Sequence, residues 1–414
     1  MNIENNNKTK KIGDNKKPDS ALNSPSNSRR PNRKKQRKPS NNKNQSLISK
    51  NIYSAIDLGT NNCRLLVAQQ TANGFKVIDS FSRVVRLGEG LGKNDNILSM
   101  EAMDRTIEAL NVCLSKIHRR GVTHMRNVAT QACREAVNCD DFIERVEKEV
   151  RMKLHIIDPA EEARLAMMGC KALLEKKYSN AIIFDIGGGS TELIWVKIKQ
   201  QGMPEIIDWT SIPFGVVNLS EKYGMTHAIA PHEYAHMKQT IMSAFQSFEV
   251  KNNMEELVAS GNVQLLGTSG TITTLTAMDM ELEVYDRTRV DGAKVASARI
   301  RELCNMLSGL NYEERLALRN IGADRADLVV AGCAILESIM DLWPIEDIRV
   351  ADRGIREGML LDMMHKFNPP PKGKGRKNTY WRKNKARKNK ARTNQNKSQN
   401  NPQNNSMVGK EQND

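Results

Sequence analysis

The central part of the chain opens with three short hydrophobic runs that are separated by glycine or polar residues. They cover residues 52–56, 64–68 and 75–78. Runs of this length between turn residues are typical of strands joined as hairpins. The sequence therefore predicts three consecutive strands at the start of a folded core.

A helix is predicted next, because aliphatic residues then recur every three or four positions. The residues on this face are Ile107, Leu110, Leu114 and Ile117. Ser99 can cap the start of the helix, Glu101 lies in its first turn and Gly121 marks its end. Three strands followed by a helix make up one α/β unit.

The same order of runs returns about 128 residues further along the chain. Residues 57–67 align without gaps to residues 185–195, with aspartate, glycine and leucine at matching positions. A repeat of this length is too long for a solenoid unit. It predicts a duplicated domain in which the loops of two α/β halves face each other across a ligand-binding cleft.

One aligned pair reverses its charge, because Arg64 in the first copy corresponds to Glu192 in the second. Packing alone does not require such a reversal. We expect Arg64 to offer a cation to phosphate, and Glu192 to offer a carboxylate to a metal ion.

Three consecutive glycines, Gly187, Gly188 and Gly189, separate two predicted strands in the second copy. With no side chains in the way, their N–H groups can form a concave anion site, and the hydroxyls of Ser190 and Thr191 add donors. An ordinary glycine-rich turn is the alternative, and the matching loop in the first copy argues against it. We therefore predict phosphate-binding loops in both copies.

The strand before these glycines ends in a carboxylate. Asp185 would repel a phosphate in the loop unless a cation lay between them. Mg²⁺ is a hard cation that carboxylates and phosphate oxygens can hold together. The arrangement predicts Mg²⁺ as the cofactor.

A third glycine-containing loop occupies residues 267–271, before a predicted helix over residues 272–278. Backbone N–H groups at the start of a helix bind phosphate, and neighbouring hydroxyls support them. This motif is weak alone and gains weight as the third loop of one cleft.

Asp158 and Pro159 predict the start of another helix, as N-cap and first helical residue. Glu161 fits the reciprocal position of a capping box. Glu162 has no such structural role, so it is a candidate general base beside the cleft. The alternative is a surface glutamate that the helix dipole favours.

Two arginines are further candidates, because Arg86 and Arg134 both lie near turns or ends of predicted elements. A guanidinium fork matches two phosphate oxygens. For each residue the alternative is a surface arginine in a salt bridge.

Positive charge is concentrated at the two ends of the chain. Residues 1–50 carry 14 Lys and Arg against 3 Asp and Glu, and residues 366–414 carry 14 against 2. The two ends together therefore carry a net charge of +23. Since the net charge of the whole chain is +15, residues 51–365 carry −8. Both ends have too few apolar residues to fold, and we expect disordered basic tails that are candidates for binding polyanions, RNA included.

No apolar stretch is long enough for a secretory signal or a membrane span, so we expect no membrane partner. All seven cysteines lie between residues 51 and 365, and none belongs to a C-x-x-C pair. Their odd number and their spacing predict reduced, buried thiols in a cytoplasmic protein.

Six motifs resemble, in order, those of the exopolyphosphatase / guanosine pentaphosphate phosphohydrolase (Ppx/GppA phosphatase) family. They cover residues 57–61, 85–91, 129–136, 161–164, 185–192 and 267–271. The resemblance implies an α/β fold, namely the duplicated actin-like (ribonuclease H-like) two-domain fold of an ATPase superfamily. It also implies Mg²⁺-dependent hydrolysis of the terminal phosphate of polyphosphate, of the stringent-response alarmone pppGpp, or of both.

The resemblance assigns the base to Glu162 and gives phosphate or metal contacts to other motif residues. Together with the loops, it predicts Glu162 and Arg134 as catalytic residues, and Asp57, Asp185 and Glu192 at the metal. The predicted phosphate-binding residues are Gly59, Thr60, Asn61, Arg64, Arg86, Gly187, Gly188, Gly189, Ser190, Thr191, Gly267, Ser269, Gly270 and Thr271.

Four segments are expected: a disordered basic tail over residues 1–50, a first domain over 51–179 that is completed by 347–365, a second domain over 180–346, and a second tail over 366–414. An actin-like ATPase or kinase is the alternative enzyme. A non-catalytic module that binds an alarmone or RNA is the alternative outside enzymes. A homodimer is left open as the assembly.

Overall fold

The computed structural model describes residues 51–71, 74–225 and 227–367. The tails predicted for residues 1–50 and 366–414 lie outside the described residues, except for residues 366 and 367, which end the last helix. Within the described residues the chain forms two mixed α/β lobes, each built on one sheet.

The first lobe begins with the three predicted strands and continues with a helix. Its elements are β1 (Ile52–Leu58), β2 (Asn62–Thr71), β3 (Gly74–Val84), α1 (Met100–Arg119), β4 (His124–Ala129), α2 (Gln131–Glu135), α3 (Cys139–Arg145), β5 (His155–Ile156) and α4 (Pro159–Cys170), with short helical turns at Leu91–Lys93, Val146–Val150 and Lys171–Leu173.

The second lobe repeats this order with more helices. Its elements are β6 (Asn180–Ile186), β7 (Thr191–Lys197), β8 (Glu205–Ile212), α5 (Val216–Tyr223), α6 (Pro231–Asn252), α7 (Met254–Ala259), β9 (Val263–Thr268), α8 (Gly270–Asp279), α9 (Arg287–Val290), β10 (Lys294–Ala296), α10 (Ser297–Gly309), α11 (Tyr312–Leu316), α12 (Val329–Leu342) and β11 (Asp347–Ala351). The described chain ends with α13 (Ile355–Phe367), which returns to the first lobe.

The two sheets share one topology. The first has the order β3-β2-β1-β4-β5, in which β1, β2 and β3 are antiparallel and β4 and β5 are parallel to β1. The second has the order β10-β11-β9-β6-β7-β8, which matches the first once the antiparallel edge strand β10 is set aside.

The strand register confirms the duplication at the level of single residues. Asp57 lies opposite Arg64 in the first sheet, and Asp185 lies opposite Glu192 in the second. The register of the second hairpin shifts at residues 67/68 in one lobe and at residues 195/196 in the other, which are aligned positions. The alignment of residues 57–67 with 185–195 is therefore a structural equivalence.

Local signals at two helix starts are also confirmed. The Ser99 hydroxyl accepts from the Ala102 N–H at 3.2 Å at the start of α1, and the Asp158 carboxylate accepts from the Glu161 N–H at 2.7 Å at the start of α4. The capping-box role predicted for the Glu161 side chain is wrong. Its carboxylate instead accepts from Arg126 at 2.7 Å and from Arg164 at 2.7 Å, because both guanidinium groups lie within its reach.

Two helices, α4 and α13, lie in a core shared by both sheets. This core combines residues from β1, β2, β6 and β7 with apolar residues of the two helices. The helices approach each other backbone to backbone, because a Cβ on Gly358 would lie 2.1 Å from the carbonyl oxygen of Leu165. The remaining cores lie within the separate lobes.

The segment predicted to complete the first domain, residues 347–365, is divided between the two sheets. Strand β11 pairs in parallel with β9 and therefore belongs to the second sheet. Helix α13, in contrast, packs on α4, β1 and β2. The predicted boundary is therefore corrected to fall between β11 and α13.

No helix among the described residues has both the length and the apolar character needed to span a membrane.

Candidate active site

Two tight loops, one from each lobe, meet where the hairpins of the two sheets turn. The N–H of Gly59 donates to the carbonyl of Asn62 at 2.9 Å, and the N–H of Gly187 donates to the carbonyl of Ser190 at 2.9 Å. A Cβ on Gly188 would lie 3.1 Å from the backbone nitrogen of Asn61. A Cβ on Gly189 would lie 2.8 Å from the Thr60 hydroxyl oxygen. The loops thus touch each other through positions that have no side chain.

A third chain segment completes this contact. A Cβ on Gly215 would lie 2.4 Å from the carbonyl oxygen of Gly188, and the N–H groups of Val216 and Val217 donate to the carbonyls of Gly187 and Gly188 at 3.0 and 2.8 Å. The start of α5 therefore fixes the glycine loop of the second lobe. Sequence reasoning missed this segment, because a single glycine before a helix gives no sign of its distant partner.

Carboxylates from both lobes border the loops. Asp57 is the second-last residue of β1, Asp185 is the second-last residue of β6, and Glu192 faces Asp185 from β7. Burial raises the pKa of Asp57, although Arg64 acts against this shift. Burial and the neighbouring charges of Glu192 and Asp57 raise the pKa of Asp185 to about 7. Both carboxyl groups therefore lie where burial disfavours their charged form, and neighbouring carboxylates add to this effect at Asp185.

Glu192 is buried at 2% exposure and is held by hydroxyl groups. Its Oε1 accepts from Ser190 at 2.7 Å and from Ser211 at 2.9 Å. Burial raises the pKa of Glu192, and the two hydroxyl donors oppose that rise. The predicted phosphate donor Ser190 is thus directed to a carboxylate, and the Thr191 hydroxyl donates to the carbonyl of Phe214 at 2.7 Å.

Glu162 lies in the first turn of α4, and its side chain is only 9% exposed. Its Oε2 accepts from Nη1 of Arg134 at 2.7 Å. Burial and the nearby Glu192 raise the pKa of Glu162 well above its usual range, and Arg134 acts in the opposite direction. The electrostatic influence of Glu192 and Asp57 on Glu162 places all three carboxylates in one neighbourhood.

Arg134 is held in place by protein acceptors. Besides Glu162, its guanidinium donates to the carbonyl of Ile157 at 2.9 Å and to Oε1 of Gln131 at 2.6 Å. The structure thus brings together the two predicted catalytic residues, with Arg134 directed at the carboxylate of Glu162.

Arg64 makes no ion pair and no side-chain hydrogen bond to any described residue, although it is partly buried. Burial and the nearby cation Arg356 lower the pKa of Arg64, and Asp57 opposes that shift. Arg356, near the start of α13, is likewise without an ion-pair partner among residues 51–71, 74–225 and 227–367. Two neighbouring guanidinium groups that form no ion pair with the described residues are candidates for holding an anion.

Sequence reasoning missed Arg356, because it lies outside the three predicted phosphate loops, although Gly354 stands two residues before it. Its neighbour Glu357 is buried and accepts from Arg287 at 2.6 Å and from the N–H of Gly354 at 2.9 Å. Burial acts to raise the pKa of Glu357, but Arg356 and Arg287 outweigh it and lower that pKa. These contacts fix the first turn of α13 and with it the position of Arg356.

Arg86 is placed differently from the prediction. Its backbone has a φ of 47°, and its Nη2 lies 2.9 Å from the carboxylate of Asp327 in the second lobe. The charge of Arg86 is therefore largely neutralised by an ion pair that joins the two lobes.

The residues of the third glycine loop differ in their surroundings. Gly267 lies inside strand β9, where a Cβ would lie 2.2 Å from the ring of Phe184, so packing explains its missing side chain. The missing side chain of Gly267 thus needs no phosphate to explain it, and the phosphate contact of Gly267 stays a prediction. Ser269, in contrast, has a φ of 120°, and its buried hydroxyl oxygen has no partner among the described residues. Gly270 starts α8, and Thr271 packs against Gly332.

The carboxylates beside the loops are the residues predicted to bind Mg²⁺. No three His, Cys, Asp or Glu side chains in the described part of the chain are arranged to hold a metal ion by themselves. Mg²⁺ commonly binds through one or two carboxylates together with water and substrate phosphate oxygens. Burial first, and then the carboxylates of Glu192 and Asp57, raise the pKa of Asp185, and a bound cation would act against both causes. The residues therefore fit a metal that is held jointly with phosphate.

Comparisons with known proteins agree with this arrangement. Residues 66–367 match the sequence model of the Ppx/GppA phosphatase family. A bifunctional 3-dehydroquinate synthase/phosphatase of Fusobacterium nucleatum is 29% identical over 322 residues, which cover 75% of this chain and 46% of that protein. The chain thus spans about half the length of that relative.

Two solved structures resemble the chain along almost their whole length. The Ppx/GppA family member of Aquifex aeolicus is 26% identical with a TM-score of 0.63, and the match covers 77% of this chain and 99% of that one. An exopolyphosphatase of Cytophaga hutchinsonii is 25% identical with a TM-score of 0.68, and the match covers 76% and 98%.

The duplicated lobes and the facing loops define a two-domain α/β enzyme core. More narrowly, the chain belongs to the Ppx/GppA phosphatase family. Membership places this core among the hydrolases of phosphoanhydride bonds, and it supports phosphatase activity on polyphosphate or pppGpp in general.

Proposed function

We propose that the protein releases the terminal phosphate from polyphosphate, from pppGpp or from both, in a Mg²⁺-dependent reaction with Glu162 as the general base. The observation that carries this proposal is the buried pair of Glu162 and Arg134, at 2.7 Å, beside the two facing loops. A base that is buried and close to other carboxylates has a raised pKa, which suits proton transfer near neutral pH.

Substrate phosphates are held by backbone and cationic groups around the cleft. The loop glycines leave room for an anion beside the backbone, and the start of α8 adds N–H groups together with the unpaired hydroxyl of Ser269. Arg64 and Arg356 supply the positive charge, because neither has a carboxylate partner among the described residues. Charge-assisted hydrogen bonds from these groups stabilise the negative charge of the transferring phosphate.

Asp57, Asp185 and Glu192 are the residues that would hold Mg²⁺. When bound, the ion supplies Lewis acidity and neutralises charge on the phosphate oxygens. One oxygen of Glu192 already accepts hydrogen bonds from Ser190 and Ser211. Glu192 would therefore support the ion mainly through the residues beside it.

Glu162 takes a proton from the attacking water. Arg134 positions it, since the guanidinium is fixed at the same time by Ile157 and Gln131. Water that lies between Glu162 and the terminal phosphate is thereby oriented for attack.

The proposal places this reaction in the cytoplasm. All seven cysteines are buried and none forms a disulfide, as expected of a protein kept in a reducing compartment.

The test is phosphate release from polyphosphate, pppGpp and ATP, each measured with Mg²⁺ and with excess chelator. Release from polyphosphate or pppGpp that stops in chelator supports the proposal. Preferential turnover of ATP would instead favour the actin-like ATPase or kinase. No release from any of the three, with tight pppGpp or RNA binding, would favour a non-catalytic module.

A further inference from the structure

A polar cavity of about 400 Å³ lies beside the first loop. Both lobes contribute to it. Its lining residues are Asn61, Asn62, Ser82, Arg83, Val84, Asp324 and Arg325. None of these residues except Asn61 has a place in the proposed chemistry.

A row of paired residues leads from the reaction site to this cavity. Asp57 lies opposite Arg64 in the β1–β2 pair, and Arg64 lies opposite Ser82 in the β2–β3 pair. Directly opposite residues point to the same side of a sheet. Two strand spacings, about 10 Å, therefore separate Asp57 from Ser82 along one face. A ligand whose phosphate lies at Asp57 can extend past Arg64 into the cavity.

Arg325 connects the cavity to the phosphate site from the other lobe. Its guanidinium carbon lies 4.0 Å from the position of a Cβ on Gly270, the first residue of α8, and its Nη1 donates to the Thr274 hydroxyl at 2.5 Å. Arg325 also lowers the pKa of Arg64 through like charge, after burial and Arg356. The cavity is thus a continuation of the phosphate site.

The lining combines hydrogen-bond donors with one carboxylate. Arg83, Arg325 and Asn62 can donate, whereas Asp324 can only accept and has no hydrogen-bond or ion-pair partner among the described residues. A continuing polyphosphate chain consists of acceptors alone, so Asp324 would repel it. A ligand that suits this lining carries N–H donors and an acceptor side by side.

We infer that the cavity binds the guanine base of a guanosine polyphosphate, with Asp324 accepting from the base N–H groups. This inference rests on the proposed function. The guanine edge offers neighbouring N–H donors to a carboxylate, and its O6 and N7 accept from arginine or asparagine. Adenine has an N–H₂ donor where guanine has O6, so the same lining discriminates against it.

The first experiment compares substrates in the full-length protein. Asp324→Asn should lower kcat/KM for pppGpp about tenfold or more, because a bidentate contact to the base is lost. Its kcat/KM for polyphosphate should stay the same or rise, since a repelling charge is removed. Glu283→Gln is the matched control, because this carboxylate is 86% exposed and lies outside the cavity.

A second experiment does not depend on catalysis. Calorimetric binding of GDP and ADP to the full-length protein should show tighter binding of GDP, and Asp324→Asn should remove most of that preference. Equal binding of the two nucleotides, or an unchanged preference in the variant, would overturn the base site. So would a wild-type protein that hydrolyses polyphosphate but not pppGpp, a result that leaves the proposed function intact. If the wild-type protein hydrolyses none of the substrates, yet binds GDP more tightly than ADP in a way that depends on Asp324, only the proposed function would be overturned.

Discussion

Two adjacent glutamates in the first turn of α4 differ in their surroundings. Glu161 is partly exposed and pairs with Arg126 and Arg164, whereas Glu162 is buried against Arg134. Only the second faces the cleft carboxylates. The pair therefore provides a variant and its control within one helix turn.

Glu162→Gln should lower kcat about 10²- to 10⁴-fold, because an amide cannot accept the proton of the attacking water. Substrate binding should stay near that of the wild type. Glu161→Gln should instead lower the free energy of unfolding by on the order of 1 kcal/mol, since it weakens an ion-pair network. Steady-state kinetics and denaturant unfolding measure the two effects. Similar losses of activity in both variants would count against the assignment of the base.

Arg356 is a direct test of the proposed phosphate site, because its side chain forms no ion pair with any residue in the described part of the chain. Arg356→Met should raise KM for polyphosphate and pppGpp about tenfold or more, because a charge-assisted contact to phosphate is lost. Arg319→Met is the control, since Arg319 is 78% exposed and pairs only weakly at 3.9 Å with Glu283. An unchanged KM in Arg356→Met, measured on both substrates, would remove this residue from the site.

At the scale of elements, the crossing of α4 and α13 explains how both sheets support one cleft. Helix α4 carries Glu162 and α13 carries Arg356. Gly358 of α13 lies against Leu165 of α4, and Gly169 of α4 lies against Gly354, the residue just before α13. Any increase in their separation would move the base and the phosphate-binding arginine apart.

The variant Gly358→Ala should push α4 and α13 apart. Alanine normally stabilises a helix interior by about 1 kcal/mol relative to glycine. Here its Cβ would lie 2.1 Å from the Leu165 carbonyl, so the clash reverses the sign. We expect a lower melting temperature together with a lower kcat. Gly309→Ala, at the end of α10 with open space around it, should leave both unchanged or raise the melting temperature slightly.

The sequence was informative where structure depends on neighbours along the chain. Hairpin runs, the caps at Ser99 and Asp158 and the alignment around Asp57 and Asp185 all have local or repeated signals, and the structure bears them out. A glycine pattern alone cannot separate phosphate binding from packing, and at Gly267 the ring of Phe184 supplies a packing reason for the missing side chain. Arg356 and Gly215 reach the cleft from distant segments, and no local pattern marks such a residue.

For the molecule as a whole, charge is divided between an acidic core and basic ends. Residues 51–365 carry −8, and the two ends together carry +23. At a distance the acidic core should repel a long polyanion, and we expect the basic ends to raise its local concentration without contributing to the chemistry.

Removing residues 1–50 and 366–414 should therefore leave kcat on short substrates unchanged and raise KM on long polyphosphate. The difference from the full chain should shrink as salt approaches molar concentrations, because screening is then nearly complete. Kinetics on long polyphosphate over a series of salt concentrations tests this. Equal KM values at low salt would assign the ends to another role, such as RNA binding or solubility.

The exchange of Arg64 for Glu192 between equivalent positions gives the cleft a direction. With the same residue on both sides, the duplicated lobes would form a nearly symmetric groove, and a linear ligand could lie in it in two opposite orientations of equal free energy. A guanidinium on one wall and a carboxylate on the other make those orientations unequal. We therefore expect the terminus of a polymer of identical units to lie against one defined wall of the cleft, with the rest of the chain leaving in one direction.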